Sequence, residues 1–287
     1  MTKYIIITPA RDEEAHIEKT ILAVVQQSVL PAQWIIVDDG SVDNTGAIID
    51  RYCQAYPWIT ALHRTNRGFR QAGGGVIDAF YDGYAKIASP DWDFIVKLDA
   101  DLSFAPDYFE RCFKEFEDDS RLGIGGGAIY HPGDGHLVLE ANPLFHVRGA
   151  TKTYRRKCWA DIGGLLRAPG WDTVDEVKAN MLGWRTRSFL HLQVSHYRFT
   201  GAADGAWKNY VKNGRANYIT GYHPLFMFFK CLRRLARKPY LIGGVGLFWG
   251  FMSGYLKRLP RVEDPALIEY TRRQQMRCLL FQDSIWK

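Results

Sequence analysis

The chain has 287 residues, of which 47% are hydrophobic, 14% aromatic and 24% charged, with a formal net charge of +6. A chain of this length and apolar content buries most of its unfolded surface, which excludes a disordered tail, a collagen and a disulfide-framework miniprotein. The charge is divided: residues 1–147 carry 12 Lys and Arg against 22 Asp and Glu, and residues 148–287 carry 25 against 9.

Tyr4-Ile5-Ile6-Ile7-Thr8 is a continuous apolar run, as expected of a strand covered on both faces rather than of a secretory leader. Residues 15–27 have helical periodicity, with Ile17, Ile21, Leu22 and Val25 on one side, and Pro31 closes the segment. Residues 34–37 read as a second buried strand that ends in Asp38-Asp39-Gly40-Ser41. A helix is expected over 45–56, a third strand over 59–62, and a glycine-interrupted helix over 72–88. A fourth strand, 94–98, runs directly into Asp99-Ala100-Asp101. This alternation predicts an α/β fold, a Rossmann-like and mostly parallel sheet flanked by helices, with ligands beyond the carboxyl ends of the strands.

Past residue 120 the pattern changes. Gly123-Ile124-Gly125-Gly126-Gly127-Ala128 is followed by a loop holding Pro132, Gly133, Asp134 and Gly135. No helix and no ribose-binding acid follow the glycines at the right distance, so they are not a dinucleotide fingerprint. A helix is expected over 173–182 and late strands over 189–190 and 192–196. The five cysteines, Cys53, Cys112, Cys158, Cys231 and Cys278, show no CxxC spacing, which fits a reducing compartment and argues against a zinc ribbon.

Three polar clusters sit at strand ends. In Asp99-Ala100-Asp101 two carboxylates one residue apart repel each other unless a cation is shared, and a hard ion such as Mg²⁺ or Mn²⁺ suits them. In Asp38-Asp39-Gly40-Ser41 a carboxylate can accept from a base N–H or a ribose hydroxyl, while Asp43 reads as an Asx turn. In Pro9-Ala10-Arg11-Asp12-Glu13-Glu14 the acids suit the first turn of a helix, so Asp12 and Glu14 are expected to be structural.

Thr8-Pro-Ala-Arg-Asp-Glu-Glu, Val37-Asp-Asp-Gly-Ser and Leu98-Asp-Ala-Asp, in this order and spacing, resemble a family-2 glycosyltransferase of GT-A fold over residues 4 to about 200. The resemblance implies inverting transfer of a sugar from a nucleotide diphosphate donor. It implies that Pro9, Ala10, Arg11 and Glu13 line the nucleoside pocket and that Asp39, with Ser41 beside it, holds the base. Asn66, Arg67, Gly68 and Arg70 match a segment that touches nucleoside and diphosphate. Asp99, Ala100 and Asp101 match the metal-binding motif, with His196 as a third ligand or a diphosphate contact. The chain departs from the family at Asp12 and Gly74, where asparagine is usual.

An inverting transferase also needs a base for the acceptor hydroxyl. The family places an aspartate eleven residues before a glycine at a helix start. Asp172 stands eleven residues before Gly183, and Asp175 and Glu176 lie one turn later as alternatives. A helix N-cap is the structural role that Asp172 would otherwise serve.

Residues 205–262 hold 11 basic side chains and no acidic one. Large apolar residues interleave with them over 222–238, and 241–256 is apolar and glycine-rich. Sixteen helical residues rise only about 24 Å, short of the ~30 Å hydrocarbon core, so the composition suits helices lying on an anionic membrane surface. A helical lid over the catalytic residues is the alternative. The expected organisation is therefore a catalytic domain at 1–205, with a nucleotide-sugar half at 1–120 and an acceptor half at 121–205. Residues 206–287 form a helical, membrane-associating region. The expected function is transfer from a nucleotide sugar, UDP-linked by family habit, to a glycan or lipid-linked acceptor. It would take place at the cytoplasmic face of the cell membrane in polysaccharide or glycolipid assembly, with a polyprenyl-phosphate acceptor and a GDP- or UDP-sugar as the variant reading. A basic nucleic-acid-binding module is the non-enzymatic alternative. The acidic strand-end rim, which repels phosphate without a cation, argues against it.

Overall fold

The computed structural model describes residues 2–68, 74–133, 136–198 and 205–286. Strands β1 (Tyr4–Ala10), β2 (Gln33–Asp38), β3 (Ile59–His63) and β4 (Phe94–Leu98) lie parallel in the order β3-β2-β1-β4. Their continuous apolar runs serve two cores because successive side chains point to opposite faces. Ile6, Trp34, Ile36 and Val96 face one core. It is closed by α1 (Ile17–Val25), α2 (Thr45–Ala55) and α4 (Tyr108–Asp118). Ile5, Ile7, Ile35, Val37 and Ile95 face the other. That core is closed by α3 (Gly74–Tyr84) and α5 (Arg156–Ile162).

Beyond β4 the sheet is mixed. β8 (Thr151–Arg155) runs antiparallel to β4, β6 (Leu122–Pro132) antiparallel to β8, and β9 (Arg185–His196) parallel to β6. The short β5 (Leu102–Phe104) pairs antiparallel with β9, and β7 (Leu137–Leu139) edges β6. The run Gly123–Gly127 thus lies in the first half of a buried strand, and Pro132, expected in a loop, is that strand's last residue. The glycines set spacing: a Cβ on Gly126 would stand 2.1 Å from the Thr151 carbonyl oxygen. The two late strands are one. Its pairing skips from Phe189 to Gln193 where β6 steps from Gly127 to Ala128, and this bulge breaks the sequence pattern.

Four helices follow: α7 (Ala206–Ile219), α8 (Pro224–Leu235), α9 (Ile242–Leu256) and α10 (Pro265–Leu279). α10 buries Leu267 against Val174 and Val177 of α6 (Trp171–Met181). α9 lies on α7 at backbone distance, since a Cβ on Gly250 would meet the Val211 carbonyl oxygen at 2.1 Å. Among the described residues, no helix is long and apolar enough to cross a membrane.

Candidate active site

The order β2-β1-β4 sets three polar termini side by side, one strand spacing of about 4.8 Å apart. After β1, Asp12 adopts φ 53°, a left-handed conformation that aspartate and asparagine tolerate better than most residues. That turn lets the Asp12 carboxylate accept from the Val42 amide and Ser41 Oγ accept from the Asp12 amide. Asp12 and Ser41 therefore stitch the two loops together. Asp43 accepts from the amides of Thr45 and Glu14. Pro9 and Ala10 close β1, opposite Val37 and Asp38.

Arg11 donates to the Asp39 carbonyl oxygen and to Asn66 Oδ1, each at 3.0 Å. The Asp39 carboxylate receives Arg67 at 2.6 and 3.1 Å and Arg64 at 2.5 Å. Asn66 Oδ1 also accepts from the Gly68 amide. Gly40 makes this approach possible: at φ 72° a Cβ there would lie 2.5 Å from Asn66 Cα. Arg11, Asp39, Asn66, Arg67 and Gly68 are thus gathered in one cluster, and Arg70 lies outside the described residues. Asp38 turns away to accept from the Ser41 amide and to meet His63 at 3.0 Å. Glu13 is buried and pairs with Arg198 at 2.9 Å.

At the end of β4, Asp99 is held from two sides. Its amide donates to the Ala150 carbonyl, and its carboxylate takes the ammonium of Lys97, which also donates to Gly149 O at 2.7 Å. Ala100 is buried. Asp101 is also buried, and Oδ2 lies 3.1 Å from His196 Nε2. The β5–β9 pairing explains that contact, because it sets His196 opposite Leu102, next to Asp101 in the chain. Ligand atoms of Asp99, Asp101 and His196 all fall within 4.8 Å of one another.

Among the described residues, His196 Nδ1 is buried without a hydrogen-bond partner. Two carboxylates and an imidazole with an uncommitted nitrogen fit a divalent cation that accepts oxygen and nitrogen donors, as Mn²⁺ does. Mg²⁺ would draw on the carboxylates.

Helix α6 opens beside this corner. Its N-cap is Gly170, in a left-handed conformation with φ 88°, so Asp172 sits in the first turn and not at the cap. A Cβ on Gly149 would lie 3.0 Å from the Trp171 ring and 3.3 Å from Asp172 Cβ, so the segment that holds Asp99 runs directly beneath Asp172. The Asp172 side chain is half-buried, and among the described residues no other side chain donates a hydrogen bond to its carboxylate or forms an ion pair with it. Burial raises its pKa, but electrostatic interactions with His146, Lys152 and Arg148 outweigh that and hold it below the ordinary carboxylate value.

Asp175 and Glu176 face inward. Lys152, fully buried on β8, donates to both Asp175 oxygens at 2.9 and 3.0 Å, pairs with Glu176 at 2.9 Å and also reaches the Asp172 carbonyl oxygen. Tyr154 donates to Asp175 at 2.6 Å, and Glu176 accepts from the Val147 amide and meets His146. Burial pushes the Asp175 carboxyl up to about 6. Of the three candidate bases, Asp172 alone has a carboxylate with no side-chain partner among the described residues.

Sequence reasoning missed Lys97, Lys152, Arg64 and His146. Lys97 carried a signal: a charge inside a buried strand requires a partner, and the acid nearest in sequence is Asp99, two residues on. The others act across long sequence distances.

The description "Glycosyl transferase family 2" matches residues 5–163, more than half of the chain. The chain belongs to glycosyl transferase family 2. Chondroitin synthase of Pasteurella multocida (strain Pm70) is 29% identical over 117 residues, 41% of this chain and 11% of that protein. Polyprenol monophosphomannose synthase of Mycolicibacterium smegmatis is 30% identical over 130 residues, 45% of this chain and 46% of that protein. The chain therefore spans less than half the length of the curated relatives it matches. Among solved structures, mannosyltransferase PcManGT from Pyrobaculum calidifontis, in complex with GDP-Man and Mn²⁺, superposes with a TM-score of 0.56 at 16% identity. The match covers 98% of this chain and 76% of that one. That likeness shows the fold, which is GT-A. Asp172 and His196 lie beyond the residues matched by the family, so their placement comes from the geometry.

Proposed function

We propose that this chain is an inverting, metal-dependent glycosyltransferase that moves a sugar from a nucleotide diphosphate sugar, with UDP as the leading nucleotide, to a glycan or lipid-linked acceptor. The observation that carries the reading is the convergence of Asp99, Asp101 and His196 at one corner, with the uncommitted carboxylate of Asp172 above the segment that holds Asp99. Asp101, His196 and the outer oxygen of Asp99 would hold Mn²⁺ or Mg²⁺, which when bound supplies Lewis-acid stabilisation of a departing diphosphate.

The protein's own groups do the rest. Asp39 and Arg11 frame the nucleoside pocket, with Pro9, Ala10 and Glu13 behind it and Ser41 fixing its loop. Asn66, Arg67 and Gly68 border the diphosphate path, and Arg64 and Arg67 neutralise Asp39 until a base displaces them. Asp172 accepts the proton of the acceptor hydroxyl as that oxygen attacks the anomeric carbon from the face opposite the diphosphate. Its depressed pKa keeps it ionised and able to accept. Asp175 and Glu176 hold the helix that carries it.

A second reading, transfer to a polyprenyl phosphate from a GDP- or UDP-sugar, is favoured by the relative that acts as a polyprenol monophosphomannose synthase and by the GDP-Man-bound neighbour. Either acceptor suits work at a membrane surface, and the five free cysteines suit a reducing compartment. The test is a panel of nucleotide sugars, with Mn²⁺ present, scored for release of nucleoside diphosphate by wild type and Asp101→Ala. Release by wild type alone supports the reading. No release from any donor, or equal release by both proteins, overturns it.

A further inference from the structure

Beside the loop that leads into Asp172, a groove of about 570 Å³ opens between α7 and α9, lined among others by Pro169, Trp207, Lys208, Lys212, Arg215 and Trp249. Its polar side is cationic and its apolar side aromatic. None of the three cations has a carboxylate within ion-pair distance among the described residues, and Arg215 is fixed across the groove by a 3.0 Å bond from Nε to Ser253 Oγ. The groove touches the catalytic half directly, because a Cβ on Gly170 would lie 2.7 Å from Thr220 at the end of α7.

The groove is continuous with an apolar face. Gly246, Gly250 and Gly254 of α9 are spent against α7 and Gly243 and Gly244 against α8, while Val245, Phe248, Trp249 and Met252 are exposed, as are Phe228 and Phe229 of α8, which packs on α9. Trp249 is 52% exposed and belongs to both groove and face. No acidic side chain occurs anywhere in residues 205–262. A second copy on this face would set cations against cations, and a nucleic acid would leave the apolar rings in water. A bilayer satisfies both, with rings at the acyl boundary and cations at phosphate depth.

We infer that this groove seats the phosphate headgroup of a membrane lipid while the outer faces of α8 and α9 rest on the bilayer that supplies it. The inference deepens the membrane part of the reading above. It requires no sugar transfer, so either can fail alone.

Vesicle flotation of the full chain tests it, using phosphatidylcholine alone, phosphatidylcholine with phosphatidylglycerol, and phosphatidylcholine with a long-chain prenyl phosphate. Wild type should float with both doped vesicles and not with phosphatidylcholine alone. K208Q/K212Q, two exposed or half-buried positions whose loss is checked for fold by thermal melting, should bind doped vesicles at least about tenfold more weakly. Trp249→Ser should also lose flotation. Tenfold tighter binding to prenyl phosphate than to phosphatidylglycerol assigns the groove to an acceptor, and equal binding assigns it to bulk lipid. Failure of wild type to float with either doped vesicle at low salt overturns the proposal. So does K208Q/K212Q floating like wild type.

Discussion

Lys97 and Lys152 stand opposite one another on β4 and β8, and the ammonium of each lies 5.5 Å from the centre of the Trp171 ring. Lys97 holds Asp99 at the metal corner, while Lys152 holds Asp175, Glu176 and the Asp172 carbonyl at the start of α6. One cross-strand pair thus fixes the position of the base helix relative to the cation ligands. Each charge is neutralised where it is buried, so both strands can carry lysine without the penalty of an unpaired ion.

Removing the inner member of that pair should be costly. Lys152→Met leaves Asp175 and Glu176 as buried acids without their cation and should lower unfolding free energy by about 3–5 kcal/mol. Lys97→Met should cost less, because Asp99 is only half-buried and regains water. Urea unfolding of the two variants measures the difference. A Lys152→Met protein as stable as wild type would mean that the lysine charge is not needed there.

For the base, Asp172→Asn should lower kcat by about 10²–10⁴ while leaving donor binding intact. The pH profile separates the candidates. Asp172 has a depressed folded pKa, so it stays ionised down through its usual 3.8, and the acid limb that it sets lies below that pH. Its contribution to stability has the same sign: present above the unfolded value and lost as pH falls through the folded one. An acid limb near pH 6 would transfer the role to Asp175, whose carboxyl titrates there.

The contact between α7 and α9 depends on missing side chains. Gly250→Ala puts a methyl 2.1 Å from the Val211 carbonyl, where a helix backbone must move rather than a side chain. It should destabilise by about 1–3 kcal/mol, the usual cost of overpacking, and widen the cationic groove. Thermal melting reads the first effect. An unchanged melting temperature would show that the helices are not in contact at that position.

Much of the fold was legible. The apolar runs at 4–8, 34–37 and 94–98 are strands because they are buried on both faces, and the carboxyl-end rule placed Arg11, Asp39, Asp99 and Asp101 together. What escaped were strands whose composition hides burial. β8 reads Thr-Lys-Thr-Tyr-Arg and looks exposed, yet Lys152 is fully buried because its acids come from a helix some twenty residues later. β6 is written in glycine, a poor strand former chosen here for backbone clearance. Asp172 carries the eleven-residue spacing to Gly183, but Asp175 and Glu176 one turn later stayed open as alternatives. The direction of their side chains, inward to Lys152, sets those two apart.

The central claim is that a cation held by Asp99, Asp101 and His196 brings a nucleoside diphosphate to the rim bounded by Asp39. Calorimetric titration of UDP and GDP into wild type and Asp101→Asn, each with Mn²⁺ and with chelator, tests it directly. The account predicts binding by wild type only when Mn²⁺ is present, and at least about tenfold weaker binding by Asp101→Asn. Equally tight binding in chelator, undiminished in Asp101→Asn, would contradict it.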